Sequence, residues 1–540
     1  MPFTVGRWAG EVRRGGSLSH LTHDGVPVLR AVRGVVRDRD WRTAPATVTS
    51  TSATSGALLL AGTFDDDGGE DVVHGDWTLD ARDDDGRLAV EFRATARTAF
   101  RRNRCGLVVL HRPDDAGRPL TVRHPDGTTT STGFPVEIAP HQPARDVAGL
   151  AWSRPGVDVD LEFSGDVFEV EDQRNWTDAS FKTYSTPLER PFPVPVAAGA
   201  TVVHRVVVSA RPTGSSREPG PPPGPVRWRE TGTPLPRWGT DRPVEGFAGT
   251  LLVELLLDDP AWPDHLARAR AAGNPLDVRL VTDDPDLLPD AVAALWDARV
   301  ERLGVHSLTR HVSTRVLWAA LSAAAGDLPL VAGSRAHFTE LNRTVAQLPP
   351  DATGVVFGST PQMHDTGRDQ FVEAVDVLRL TARQAVRIAA GRPVHVGPVS
   401  VVPRFNAVAT TPARLGRGDP SVGSGPSGPV VTAWCVAAAA ACSVDGVASV
   451  VLGASRAGGE AVAEAVRLLA PFAGRPRLDT DGVLPQGVHV LAAGTLDRGS
   501  ALVANLAEVA HHVDLGGRPV DVPPAGVRPC GWGAAPEGPR

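Results

Sequence analysis

Up to about residue 212, hydrophobic and polar positions alternate along the chain. Trp77, Leu79 and Ala81 are separated by polar neighbours, and Leu88, Val90 and Phe92 follow the same two-residue spacing. That period places one face of a strand in a core and the other in solvent. Turn clusters such as Asp65-Asp66-Asp67-Gly68-Gly69 and Asp83-Asp84-Asp85-Gly86 punctuate the runs. Many short strands at such spacing predict an N-terminal antiparallel β-sandwich over 1–212. The acidic triplets lack the regular ligand alternation of a calcium loop and read as solvated turns.

The stretch 213–245 is dense in Pro and Gly, including Pro221-Pro222-Pro223, and reads as a linker. After Gly246 the texture changes. Apolar runs of strand length (Leu251–Leu257, Leu276–Val281, Val305–Leu308, Leu328–Ala332, Val355–Gly358, Val394–Val402, Val447–Leu452) alternate with amphipathic stretches of helix length. These helices are expected near Trp262–Ala272, Leu287–Val300, Val316–Ala325, Asp369–Ala390 and Glu460–Leu469. Repeated β-then-α units with near-continuous apolar strands predict a central (β/α)8 TIM-type barrel over 246–475. The pattern supplies seven strands, so the eighth is irregular or hidden in the Gly/Pro/Ser-rich insertion from Leu415 to Pro429. Short Val-rich segments over 476–540 predict a small C-terminal β domain. The fold class is therefore multidomain, α/β plus β.

Composition narrows the function. The chain has 540 residues, a hydrophobic fraction of 42%, a charged fraction of 22% and a net charge of −7. These are globular values. No basic tract is present, so neither nucleic acid nor an anionic membrane surface is an expected partner. The most apolar run, Val430 to Val444, is Ala-rich and short for a membrane span, and reads as a buried helix. The N-terminus lacks the apolar core of a secretory signal, and Cys105, Cys435, Cys442 and Cys530 have no paired or metal-type spacing. A cytoplasmic protein with reduced thiols is expected. There is a single Lys, Lys182, and a single Tyr, Tyr184, two positions apart.

Several signatures are missing: a Gly-x-Ser-x-Gly elbow, His-Glu-x-x-His, a P-loop and a dinucleotide glycine fingerprint set directly after a predicted strand. Serine esterase, zincin, NTPase and Rossmann chemistry are disfavoured accordingly. In a barrel, chemistry belongs just after the strands. Three post-strand segments there are rich in proton-transferring and anion-binding groups: His337 to Arg343, Pro361 to Asp365, and Pro403 to Asn406. Glu340 can act as acid or base while Asn342 and Arg343 hold hydroxyls. His364, beside Asp365, can shuttle protons near neutral pH. Arg404 can stabilise an oxyanion or clamp a carboxylate. The densest polar segment, Glu169 to Tyr184, follows no strand or helix period. It suits sugar recognition, with Glu171, Asp172, Arg174, Asn175, Asp178 and Lys182 on hydroxyls and Trp176 or Phe181 covering a ring face. It equally suits a buried network joining two domains.

Together these segments resemble the D-apionate lactonase family of sugar-acid lactone hydrolases. The resemblance is carried by Asn103-Arg104 with Gly106, Pro140-His141-Gln142-Pro143, Phe168 through Tyr184, Phe338 to Arg343, Pro361-Gln362 with His364, and Pro403 to Asn406. It implies a β-sandwich, a glycosidase-like barrel and a small β domain, with opening of D-apionolactone to D-apionate in cytosolic catabolism of a branched pentose. One departure stands out. The family tends to carry an aromatic residue followed by Glu after the last barrel strand, and here the stretch reads Leu452-Gly453-Ala454.

Lactone hydrolysis needs an activated water, an oxyanion site and a proton for the departing ring oxygen. The expectation is Glu340 as general base and His364 as acid or water-positioning partner. Arg404, with Arg343 or Lys182, would hold the oxyanion. Asn342, Asn406, Asp172, Asn175, Asp178, Glu171, Arg174, Trp176 and Tyr184 would contact substrate. No cofactor or metal is called for, and the expected partner is a small sugar lactone or sugar acid. Two rival classes remain open, a glycoside hydrolase acting on a pentose-containing glycoside and a non-catalytic sugar-binding homologue. The expectation common to all these roles is that one cavity collects Glu340, His364, Arg404 and Lys182.

Overall fold

The computed structural model describes residues 1–214, 226–411, 416, 425–453 and 458–533. The chain divides into two compact units. One comprises Met1–Arg174, Ala179–Gly220 and Val408–Leu415, and the other Asn175–Asp178, Pro221–Ala407 and Gly416–Arg540.

The first unit is a sandwich of two nine-stranded antiparallel sheets. Alternation in the sequence becomes burial on one face. Trp77, Leu79 and Ala81 are buried, as are Leu88, Val90 and Phe92, and all join one core with Trp8, Leu107 and Phe168 of the opposite sheet. Each large side chain so buried contributes about 1.5–3 kcal/mol. The sheets approach closely at Gly34, where an added Cβ would sit 1.9 Å from the Phe92 ring, so no larger residue fits. The turn at Asp83 to Gly86 closes on its own carboxylate, which accepts from the Gly86 amide at 2.9 Å.

The polar run from Glu169 to Tyr184 corrects the expectation that it lacks strand structure. Phe168–Asp172 and Phe181–Tyr184 are antiparallel partners, with Glu171 opposite Lys182. Every residue of both strands is buried, so no inside–outside alternation was available to reveal them.

The second unit holds a closed parallel barrel of eight strands. They are β1 (Arg237–Thr240), β2 (Thr250–Leu256), β3 (Leu276–Val281), β4 (Val300–His306), β5 (Leu330–Gly333), β6 (Gly354–Ser359), β7 (Val394–Ser400) and β8 (Val447–Gly453). Helices follow β2 to β8 in order: α1 (Trp262–Ala271), α2 (Leu288–Ala293), α3 (Arg315–Ala324), α4 (Phe338–Arg343), α5 (Arg368–Ala389), α6 (Pro429–Cys442) and α7 (Gly459–Leu469). The strand missing from the sequence pattern is β1, which pairs with β8 through Trp238 and Val450. It lies in the stretch read as a linker, not in the insertion. The neighbouring Arg227–Pro234 is also a strand, on the edge of a five-stranded antiparallel sheet with Pro476–Asp481, Val488–Gly494, Gly499–Asn505 and Gly526–Trp532. Trp228 stacks on Trp532 there, with centroids 4.6 Å apart. A second correction concerns α2, which is shorter than the expected Leu287–Val300 because Val300 already opens β4.

Inside the barrel, Asp277 of β3 is fully buried between Arg279 and Arg302, at 2.5 and 2.6 Å. Burial opposes its charge, but the two guanidiniums outweigh it and hold the carboxyl well below the usual range. The Ala-rich run is α6, whose residues from Val431 to Cys442 are all buried. Among the described residues no helix is long and apolar enough to cross a membrane. Ala454, Pro221 to Pro223 and most of the Leu415–Pro429 insertion lie outside the described residues.

Candidate active site

The barrel's strand ends converge on a charged cluster that begins with Glu254. This carboxylate interrupts the apolar strand β2 and meets Arg335, which follows β5, at 3.0 Å and Arg404, which follows β7, at 2.8 Å. Burial works against its ionisation, yet the two guanidiniums keep it well below the normal carboxylate range. Arg404 also donates to the Arg335 carbonyl. Phe405 lies beneath both cations, 4.3 Å from Arg335 and 5.2 Å from Arg404. His311 supports Arg335 from the side. Its Nε2 donates to the Ala407 carbonyl at 3.1 Å, and its Nδ1 accepts from the Arg335 guanidinium at 3.4 Å. Burial and Arg335 push the His311 ring down to about 4, so it is neutral.

Next to this cluster is a recess walled by His337, Ser359, Ser400, Arg404 and Phe405. These residues come from the carboxyl-terminal ends of β6 and β7 and from the segments after β5 and β7, the face on which barrel chemistry is assembled. His337 caps α4. The Glu340 carboxylate accepts from the His337 amide at 2.8 Å, and the His337 side chain faces the Glu340 amide in a capping box. Glu340 is pushed up to about 7 by burial, only partly offset by that amide, by Arg343 and by Ser334. A carboxyl in that range changes protonation state near neutral pH.

The short segment Asn175–Asp178 belongs to this unit. Asp178 Oδ2 lies 2.6 Å from His364 Nδ1. A carboxylate partner of the histidine is therefore Asp178, far from it in sequence. Trp176 packs its ring 5.7 Å from His337 and 5.8 Å from His364, with the Arg343 guanidinium above it. Thr177 Oγ1 meets Ser359 Oγ at 2.6 Å, and Gln370 holds the Thr177 and Pro361 carbonyls. Asn175 accepts from Asn342 at 2.9 Å, and Asn342 accepts in turn from Gln384.

Of the residues expected to meet in one cavity, Glu340, His364 and Arg404 belong to the barrel unit, as do Asn175, Trp176, Asp178, Asn342, Arg343 and Asn406; Lys182 belongs to the sandwich unit. There Lys182 pairs with Glu171 and lies over the Tyr184 ring at 4.4 Å, while the Tyr184 hydroxyl donates to Glu169. Asp172 and Arg174 are buried against each other at 2.7 Å, and Arg174 also donates to the Pro135 and Val136 carbonyls. Their polar atoms hold the 135–139 backbone. Glu254, Arg335 and His311 were not among the residues the sequence singled out, and His337 stood there only as the first residue of its segment. A lone carboxylate inside an apolar strand was the signal for Glu254. Arg335 gave none in so Arg-rich a chain.

The D-apionate lactonase N-terminal domain model matches residues 1–213, and the D-apionate lactonase TIM barrel domain model matches residues 283–492. A D-apionate lactonase from Brucella anthropi is 28% identical over 443 residues, covering 72% of this chain and 71% of its own. Among solved structures, a putative aldose 1-epimerase from Escherichia coli K12 is 11% identical, covering 39% of this chain and 99% of its own, with a TM-score of 0.29. A beta-arabinopyranosidase is 10% identical, covering 99% of this chain and 98% of its own, also with a TM-score of 0.29.

Proposed function

The chain belongs to the D-apionate lactonase family and is with it a sugar-acid lactone hydrolase; from that premise we propose that its substrate is a five-membered aldonolactone of the D-apionolactone type, opened to the free aldonate. The match of both domain models along the chain carries this reading. Glu340 is the general base and takes a proton from water, a role suited to a carboxyl raised to about 7. The water oxygen adds to the lactone carbonyl carbon, and the carbonyl π pair moves to its oxygen. Arg404, anchored on Glu254, faces that charge and afterwards the product carboxylate. As the tetrahedral adduct collapses, the ring C–O bond breaks and His364, oriented by Asp178, gives the leaving oxygen its proton. Trp176 offers an apolar surface to the sugar ring.

Proton release in a pH-stat, measured over a panel of five-membered aldonolactones that includes D-apionolactone, tests the reading. Saturable release on at least one member is expected. Aryl release from aryl pentosides, with no lactone opened, would replace it with glycoside hydrolysis.

A further inference from the structure

His337 is 6% exposed and lines the recess beside Arg404, yet its Nε2 is buried without a hydrogen-bond partner among the described residues. The other polar groups of the wall are engaged. Ser400 gives its hydroxyl proton to the Val402 carbonyl at 2.8 Å, and Ser359 shares its own with Thr177. An orphaned polar atom in a buried position is uncommon and calls for an explanation. The ring's state follows from its surroundings. A backbone amide can only donate, so the side chain that faces the Glu340 amide presents a lone pair on Nδ1. The proton of the neutral ring then sits on Nε2. Burial, together with Arg404, His311 and His364, lowers the ring to about 3 and keeps it neutral in the working range. The Trp176 ring, 5.7 Å away, packs beside it.

We propose that His337 is a catalytic residue of this site, whose Nε2–H donates a hydrogen bond to the lactone carbonyl oxygen and, with Arg404, to the oxyanion that forms on it. The proton stays on nitrogen throughout. The histidine accepts no charge and releases none, while water supplies the attacking oxygen and the ring oxygen receives the proton from His364. This assignment rests on the lactonase reading. It adds to it a neutral donor that tells a carbonyl oxygen from a hydroxyl donor at the same place.

The test uses two substitutions that reproduce different halves of the ring. His337→Asn keeps a good helix cap and loses the distal donor. His337→Gln places an amide N–H near the position of Nε2. The expected result for His337→Asn is a fall in kcat of about 10²-fold or more, the usual loss for one oxyanion donor, with KM within about threefold and an unchanged melting temperature. His337→Gln should regain at least about tenfold of that loss. Turnover of His337→Asn within about threefold of wild type, or His337→Gln no better than His337→Asn, overturns the proposal. If the wild-type protein opens no lactone, the lactonase reading fails and His337 is judged by binding alone. The probe is then a five-membered aldonolactam, which offers the same carbonyl acceptor, titrated by calorimetry. Affinity weakened about tenfold or more in His337→Asn supports the donor, and unchanged affinity overturns it.

Discussion

Asp178 Oδ2 lies 2.6 Å from His364 Nδ1, across 186 positions of sequence. A carboxylate at Nδ1 fixes the ring's tautomer and orientation and stabilises its protonated form. Asp178→Asn removes that charge and leaves the volume unchanged. The expected outcome is a fall in kcat of about 10²-fold or more with an ordinary far-UV spectrum. Steady-state kinetics on the best lactone checks it, and a variant with wild-type kcat would remove His364 from proton transfer.

Glu340 links activity to stability. Its carboxyl is raised from 4.5 to about 7 in the folded chain, so the folded state favours the protonated form. The sign follows from linkage. That contribution is complete below about 4.5 and is lost as pH rises through about 7, and the difference amounts to at most about 3 kcal/mol. Glu340→Gln keeps the hydrogen bond to the His337 amide and abolishes the ionisation. Denaturant unfolding at pH 5 and pH 8 should show the variant gaining stability relative to wild type at the higher pH. The same substitution should remove most turnover, while wild-type kcat rises with pH through about 7. A variant that keeps near-normal activity would dismiss Glu340 as the base.

Much of the barrel could be read from sequence because parallel strands buried on both faces leave apolar runs, as at Gly354–Ser359 and Val447–Gly453. β1 could not. It has four residues, Arg-Trp-Gly-Thr, and its place in the barrel depends on pairing with Val450, more than two hundred positions away. The site divided the same way. Glu340, His364 and Arg404 were legible as candidates because each follows a barrel strand, where acids, imidazoles and guanidiniums can serve chemistry. Pairings were hidden. Asp178 holds His364 from far away in sequence, and Arg404 is anchored by Glu254 of β2. His337 was masked by its neighbour Glu340, because a histidine's role depends on which nitrogen is left without a partner.

Glu254 holds Arg335 and Arg404 together, so Glu254→Gln leaves two adjacent guanidiniums without their shared anion. The expected cost is about 3 kcal/mol at neutral pH, with kcat/KM reduced at least about tenfold as Arg404 loses its anchor. Because the folded state holds this carboxyl below its ordinary 4.5, its contribution is present above that value and is lost as pH falls below it. Urea midpoints of wild type and variant should therefore differ at pH 7 and converge in acid. Equal midpoints at both values would show that the network adds nothing to stability.

The central claim is that water adds to the carbonyl carbon of a sugar-acid lactone in this barrel. Turnover of D-apionolactone in ¹⁸O-labelled water, followed by mass spectrometry, tests it most directly. The account predicts enzyme-dependent ring opening with one labelled oxygen in the aldonate carboxylate and none in the hydroxyl released from the ring. Ring opening no faster than the buffer blank, or label in that hydroxyl, would contradict it.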